Sequence, residues 1–271
     1  GVAVTQINLL LNTIWASFMQ DGSVSWLYSA ERMTELPLGL IGVAIGTVIL
    51  PSLSAWHAEE DQSKFRGMID RAAKVIMLVG VPASIALFML STPIIQALFQ
   101  HGAFDVRDTQ MTAMALQCMS GGVLAFMLIK VFAPGFYAQQ DTKTPVRVGL
   151  MAVAANAILN VVFIGFFKLI DWHAEHMALA LASSGSALVN AGMLYFYLHK
   201  RNIYRFGAHW KKLSFQFLVA NITMIAALAY ALTWYQGDIA QWLRIAEVVG
   251  LCALGVAAYV IGLLITGFRP R

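Results

Sequence analysis

Residues 26–54 read WLYSAERMTELPLGLIGVAIGTVILPSLS, and the order of residue types in that stretch decides the class of fold. Glu31, Arg32 and Glu35 come first, and the apolar run behind them meets no charge until His57 and Glu59. A helix crossing about 30 Å of hydrocarbon needs about 20 apolar residues. This run is continuous rather than alternating, which favours a spanning helix over a β-barrel strand.

The rest of the chain has the same character. Of its 271 residues 59% are hydrophobic and 12% charged, and the mean hydropathy is +0.70, far from soluble averages. Eight apolar windows follow one another, at roughly 2–20, 24–54, 70–91, 108–131, 146–169, 177–198, 212–235 and 243–266. The expected fold is therefore all-α, a polytopic transmembrane bundle of about eight spans. Short polar segments such as DGSVS, HAEEDQSKFRG and DWHAEH separate the windows. Residues 91–100, STPIIQALFQ, predict a short interfacial helix with Pro93 at its start.

Lys and Arg divide unevenly across these spans. Fourteen of the 18, among them Lys64, Lys143, Arg201, Arg269 and Arg271, fall on one side, while Arg32, Arg107, Lys168 and Arg244 fall on the other. The positive-inside rule then places both ends of the segment in the cytoplasm, and Gly22, Asp105 and His173 on the periplasmic side. On this reading the net charge of +4 reflects topology and not a nucleic-acid footprint. The chain opens on Gly1 with no signal peptide ahead of the first span, and the expectation is a piece of a longer protein.

Arg32 sits roughly 9 Å along the helix from the interfacial Trp26, below the headgroups. Two readings stand open. In one, Arg32 snorkels outward and pairs with Glu35 one turn on. In the other it faces a hydrated cavity and binds an anion, with Glu35 holding the guanidinium, since an intramembrane Arg is costly unless used. Pro37 and Pro51 kink or end this helix, and Gly39, Gly42 and Gly46 admit a close neighbour. In the first span Asn8 and Asn12 share a helical face, with Thr5 and Gln6 nearby; they either line the same cavity or join helices. Asn12, deeper in the span, is the better cavity candidate.

Residues 133–145, APGFYAQQDTKTP, read as a loop broken by Pro134, Gly135 and Pro145. Asp141 and Lys143 lie in it, Asp141 as a cap for the next helix. A part in inner closure is the alternative role. The segment around Lys200, Arg201, Arg205, Lys211 and Lys212 is basic, and its default role is topology and contact with anionic lipid.

Two long runs, GSVSWLYSAERMTELPLGLIGVAIGTVILPSLS (22–54) and KVFAPGFYAQQDTKTPV (130–146), carry a resemblance. They closely resemble the second half of the MurJ (MviN) lipid II flippases, and the likeness extends from VTQINLLLNTIWASF to the closing GFRPR. The resemblance implies the multidrug/oligosaccharidyl-lipid/polysaccharide exporter fold. Residues 1–200 would be the second six-helix lobe, and 201–271 two additional helices forming a groove for the lipid tail. It implies lipid II as substrate, moved from the cytoplasmic to the periplasmic leaflet of the bacterial inner membrane by alternating access, with the first lobe of the same protein and membrane lipids as partners. Arg32 matches the cavity arginine of this lobe and Glu35 the acidic residue one turn on. No residue here corresponds to the first-lobe cavity arginines.

No nucleotide-binding loop, Ser/His/Asp set or hydrolase carboxylate pair is legible, so no enzyme activity and no cofactor is expected. Cys118 and Cys252 fall inside spans, without metal spacing, and read as small apolar fillers. His173 and His176, even with Glu175, make no zinc site. Two other classes stay open: an ion-coupled exporter of small cations in the same fold, for which only Glu35 and Glu247 come near a buried carboxylate, and a non-transporting scaffold.

Overall fold

The computed structural model describes residues 2–39, 43–171, 174–237 and 239–268, without the side chains of 2–5, 7, 43, 44 and 46. Gly42, His173, Arg269 and Arg271, and the surroundings of Thr5 and Gly46, lie outside this set. Among the described residues the chain forms ten helices: α1 Val2–Ser17, α2 Ser23–Pro37, α3 Val43–Ala58, α4 Gln62–Met89, α5 Ser91–Phe99, α6 Val106–Tyr137, α7 Lys143–Leu169, α8 His176–Lys200, α9 His209–Leu232 and α10 Gln241–Ile265. Six of them, α4 and α6 to α10, are each long and apolar enough to cross a membrane. The molecule is a multi-pass helical membrane protein.

Within the window expected at 24–54, the described residues form α2 up to Pro37, a π-helical Leu38 and Gly39, and α3. Pro37 lies in the last turn of α2, where it has no N–H for the Met33 carbonyl, and the next two residues widen into a π-turn. The next described helix, α3, begins at Val43. Pro51, expected to kink or stop the helix, lies inside α3, which runs on to Ala58. Asp61 accepts from the Lys64 amide at 3.0 Å and starts α4 eight residues before the expected window. The apolar window had marked only hydrocarbon depth, whereas a cap allows the helix to extend into the polar layer.

α6 is the axis of the bundle and packs against α2, α3, α4, α5 and α8. One core joins Ile49 and Leu53 of α3, Ile69 and Ile76 of α4, Met127, Val131, Phe132 and Phe136 of α6, and Leu194 and Leu198 of α8. A second holds α2 to α6 through Leu27, Ala30, Met33, Ala113 and Leu116. The outer surface is also apolar: Leu10, Ile158, Leu218, Val256 and Leu264 are exposed. In water such a surface would aggregate, whereas in lipid every backbone group is already satisfied within a helix. α5, which the sequence placed flat in the interface, buries Ser91, Pro93, Ile95 and Ala97 and packs against α6 and α10.

The last two helices pack on each other and on α4 and α5 through Leu90, Phe217, Met224, Leu228, Leu251 and Leu263. Their attachment is fixed at both ends. At one end Tyr235 donates to Gln96 of α5 at 3.1 Å, and partway along Tyr259 donates to the Leu78 carbonyl of α4 at 2.8 Å. At the other end Asp70 of α4 gathers four partners: Tyr204 Oη at 2.9 Å, Trp210 Nε1 at 2.7 Å, Lys74 Nζ at 2.9 Å and His209 Nε2 at 3.1 Å. Tyr204 and Trp210 are buried. Asp70→Ala leaves their two donors unpaired and should lower the stability of the purified protein by about 2–3 kcal/mol. Asp70→Asn, which keeps one acceptor oxygen for them, should cost about half as much. Thermal unfolding in detergent reads both; equal melting for all three proteins removes the assigned role.

Candidate functional site

α2 starts at Gly22, whose φ of 97° is open to a residue without Cβ and whose position is covered by the Trp26 ring. Trp26 is buried, donates from Nε1 to Asp108 of α6 at 2.7 Å, and lies 5.0 Å from the His176 ring. His176 in turn contacts the Met111 carbonyl at 2.9 Å. These bonds fix the rotation of α2. Trp26, Leu27, Ala30, Met33 and Thr34 turn inward, and Tyr28, Arg32, Glu35 and Leu36 are left on the uncovered face.

On that face the Arg32 guanidinium is bracketed by neighbours one turn away on either side. Nε donates to the Tyr28 hydroxyl at 3.1 Å, and Nη2 donates to the same oxygen. Nη1 lies 3.6 Å from Glu35 Oε2, and Cζ stands 4.9 Å from the Tyr28 ring centroid. The Arg32 and Glu35 side chains are 56% and 57% exposed. Such an exposed pair contributes little to stability, and its geometry matters more than its energy. The pairing of Arg32 with Glu35 was legible from the sequence. Tyr28 was not singled out, although its i, i+4 spacing to Arg32 was a usable signal.

Asn12 lies elsewhere. Its Nδ2 donates to Ser183 Oγ at 2.8 Å, and its Oδ1 accepts from Asn160 at 3.2 Å. Asn160 also donates to Asn156 at 3.2 Å. Asn12 thus spends both ends of its amide in a seam between α1, α7 and α8, the helix-joining role that the sequence left open beside cavity lining. Among the described residues no hydrogen bond connects Asn8 or Asn12 to Arg32, and Asn8 Oδ1 is buried without a partner. Asn156, Asn160 and Ser183, which complete the seam, had not been singled out, because only the packing of three helices brings them together.

The expected loop at 133–145 needs correction. Pro134 and Gly135 are buried in the last turn of α6, and the connection shrinks to Ala138–Thr142. Pro134 offers no N–H to the Lys130 carbonyl, yet α6 runs on to Tyr137, and the Pro134 carbonyl itself accepts from Ala138 at 2.9 Å. Asp141 caps α7 by accepting from the Thr144 amide at 3.0 Å and hydroxyl at 2.6 Å. Arg201 joins them, bonding Asp141 at 2.6 Å and Thr144 at 2.9 Å. Burial pushes the Asp141 carboxyl up, but these donors outweigh it and hold the group at about 2. The clamp is therefore ionised at any neutral pH. Lys143 begins α7 beside it. Arg201 and Asp70's partners show the basic 199–212 segment tied to acids of the bundle rather than wholly free.

A cavity of about 660 Å³ opens beside Trp210, lined by Met77, Phe206, Lys211 and Ser214 among others. It lies at the opposite end of the bundle from Gly22 and includes neither Arg32 nor Glu35.

The sequence model of the family described as "Lipid II flippase MurJ" matches residues 1–252. A "Probable lipid II flippase MurJ" of Vibrio cholerae is 41% identical, with 100% of this chain and 51% of that protein aligned. The corresponding protein of Haemophilus influenzae is 40% identical, over 100% and 53%. The "Lipid II flippase MurJ" of Burkholderia cenocepacia is 34% identical, over 99% and 51%. A solved structure titled "Lipid II flippase MurJ, inward closed conformation" superposes with a TM-score of 0.75 at 25% identity, covering 97% of this chain and 51% of that one. The chain thus spans about half the length of the curated relatives it matches.

Proposed function

We propose that this chain, which belongs to the MurJ lipid II flippase family, supplies the second lobe and terminal helix pair of a lipid II transporter. The transporter moves the polyprenyl-pyrophosphate-linked peptidoglycan precursor from the cytoplasmic to the periplasmic leaflet of the inner membrane. The observation that carries the reading is the uncovered face of α2, where Arg32 is held by Tyr28 and Glu35 within a helix otherwise packed on its own bundle. A pyrophosphate must pass an apolar midplane, and a fixed guanidinium in a hydrated cavity lowers that cost. Arg suits the task because its planar fork grips two phosphate oxygens and keeps its proton.

In this reading the face of α2 looks toward the first lobe of the same protein, and alternating access comes from the two lobes rocking about the site. Both ends of the segment lie in the cytoplasm, in keeping with the division of Lys and Arg. The α9–α10 pair offers its exposed apolar side, including Leu218, Ile222 and Val256, to lipid and to the polyprenyl tail. The chemistry is transport, with no bond made or broken.

The full-length gene, expressed while a host's own lipid II flippase is depleted, should restore growth and the appearance of lipid II in the outer leaflet. Residues 1–271 alone should not, because the first-lobe cations are missing. Failure of the full-length protein, present in the membrane at normal level, removes the reading.

A further inference from the structure

Resting on the reading above, we propose that Tyr28 is a second phosphate-binding group of the site, its hydroxyl donating to a pyrophosphate oxygen while it accepts from Arg32. The hydrogen-bonding capacity of the pair is unevenly divided. A guanidinium has five N–H donors and no acceptor, and a phenol has one donor and an acceptor oxygen. Nε and Nη2 of Arg32 both converge on the Tyr28 oxygen, so the oxygen is used as an acceptor. The phenolic O–H must then point away from the cation, and no described group accepts it.

Nη1 is steered the other way, toward Glu35 at 3.6 Å. At that distance it is a loose ion pair and not a short hydrogen bond, so an incoming anion can compete for it. The ring below adds a cation–π contact, with Cζ 4.9 Å from its centroid, which limits where the guanidinium swings. Tyr28 and Arg32 therefore present, on one exposed helical face, an O–H and N–H donors converging on the same small volume. A lone arginine would offer charge without this second fixed donor.

The phenol's own geometry favours an anion over a cation. Two N–H groups donating into the oxygen withdraw electron density from it and make its remaining O–H a better donor, as in other cooperative hydrogen-bond chains. A phosphate oxygen is the matching acceptor, because charge-assisted bonds of this kind are the strong ones. Tyr28 is 55% exposed, so the group is reachable without rearranging the α2–α6 core.

The test uses the full-length protein in nanodiscs and two probes: a polyprenyl pyrophosphate without sugars and the corresponding monophosphate. Tyr28→Phe keeps the ring over Arg32 and removes only the hydroxyl. It should weaken pyrophosphate binding by about tenfold, the effect of one hydrogen bond to a charged group. The melting temperature should be unchanged and the loss for the monophosphate smaller. Wild-type binding by Tyr28→Phe, with binding lost in Arg32→Ala, overturns the role of Tyr28 and leaves the transport reading in place. A tenfold loss accompanied by a lowered melting temperature assigns the hydroxyl to the fold and also overturns the proposal. Equal affinity in all three proteins, or no binding by wild type, removes the anion site altogether.

Discussion

Arg32→Ala in the full-length protein should abolish lipid II transport and growth while leaving expression and membrane insertion near normal. The asymmetry follows from where the residue sits. Arg32 contributes almost nothing to the core: its contacts are Tyr28 and Glu35 on the same exposed face, so removing it takes no packing from the bundle. On the proposed reading, what is lost is the positive charge that would meet the pyrophosphate. Arg32→Lys should restore only part of the activity, since an ammonium replaces a two-pronged grip with a point charge and cannot bond Tyr28 through two nitrogens at once. Glu35→Ala should be milder still, removing a loose partner 3.6 Å away and leaving the cation in place. Growth of a depleted strain at matched protein level measures all three. Wild-type growth of Arg32→Ala would mean that Arg32 serves only as an interfacial anchor.

Gly122→Leu should have the largest effect on folding. A Cβ at Gly122 would come within 2.8 Å of the Ser184 Cα and 2.9 Å of its Oγ. The obstacle is backbone, which cannot rotate aside. The same crossing is held by Ser184 Oγ donating to the Cys118 carbonyl at 2.7 Å, with Ala125, Ala187 and Ala191 packed below. Small residues at such a crossing let helices approach, and in lipid that contact is the main source of cohesion. Forcing α6 and α8 apart should cost about 3 kcal/mol or more, enough to remove folded protein from the membrane. Gly121→Leu is the internal control. Its Cβ would meet nothing within 4 Å, and it should express and melt like the parent. Equal stability of the two variants would show that α6 and α8 do not cross where the structure puts them.

Boundaries of the later helices were well read from the sequence. The windows 146–169 and 177–198 lie within α7 and α8, each short of the helix by three residues or fewer at either end. These segments are apolar between polar connectors, so hydropathy alone marks them. Where helices end on something other than polarity, the reading erred. Pro134 and Gly135 look like loop residues, yet they sit one turn inside α6, where burial against the bundle holds the turn although the proline offers no N–H to the Lys130 carbonyl. Asp61 extends α4 through a side-chain cap, which a hydropathy window does not register.

The candidate site divides in the same way. Arg32 and Glu35 stood out in the sequence because they come just ahead of a long apolar run, where a charge at membrane depth would be costly. Tyr28 carries no such penalty and was passed over, although the spacing that links it to Arg32 is local.

Sequence by itself determined that the chain is a helical membrane protein, which helices are apolar and where its isolated charges fall, because each of these depends on residues close together along the chain. Only the tertiary structure decided that Asn12 joins Asn160 and Ser183, that Asp70 anchors α9, and that Trp26 turns Arg32 outward. Those pairings join residues 82 to 171 positions apart. They arise from the rotation and crossing of whole helices, set by close approaches such as Gly122 on Ser184, and that information is not contained in any one segment.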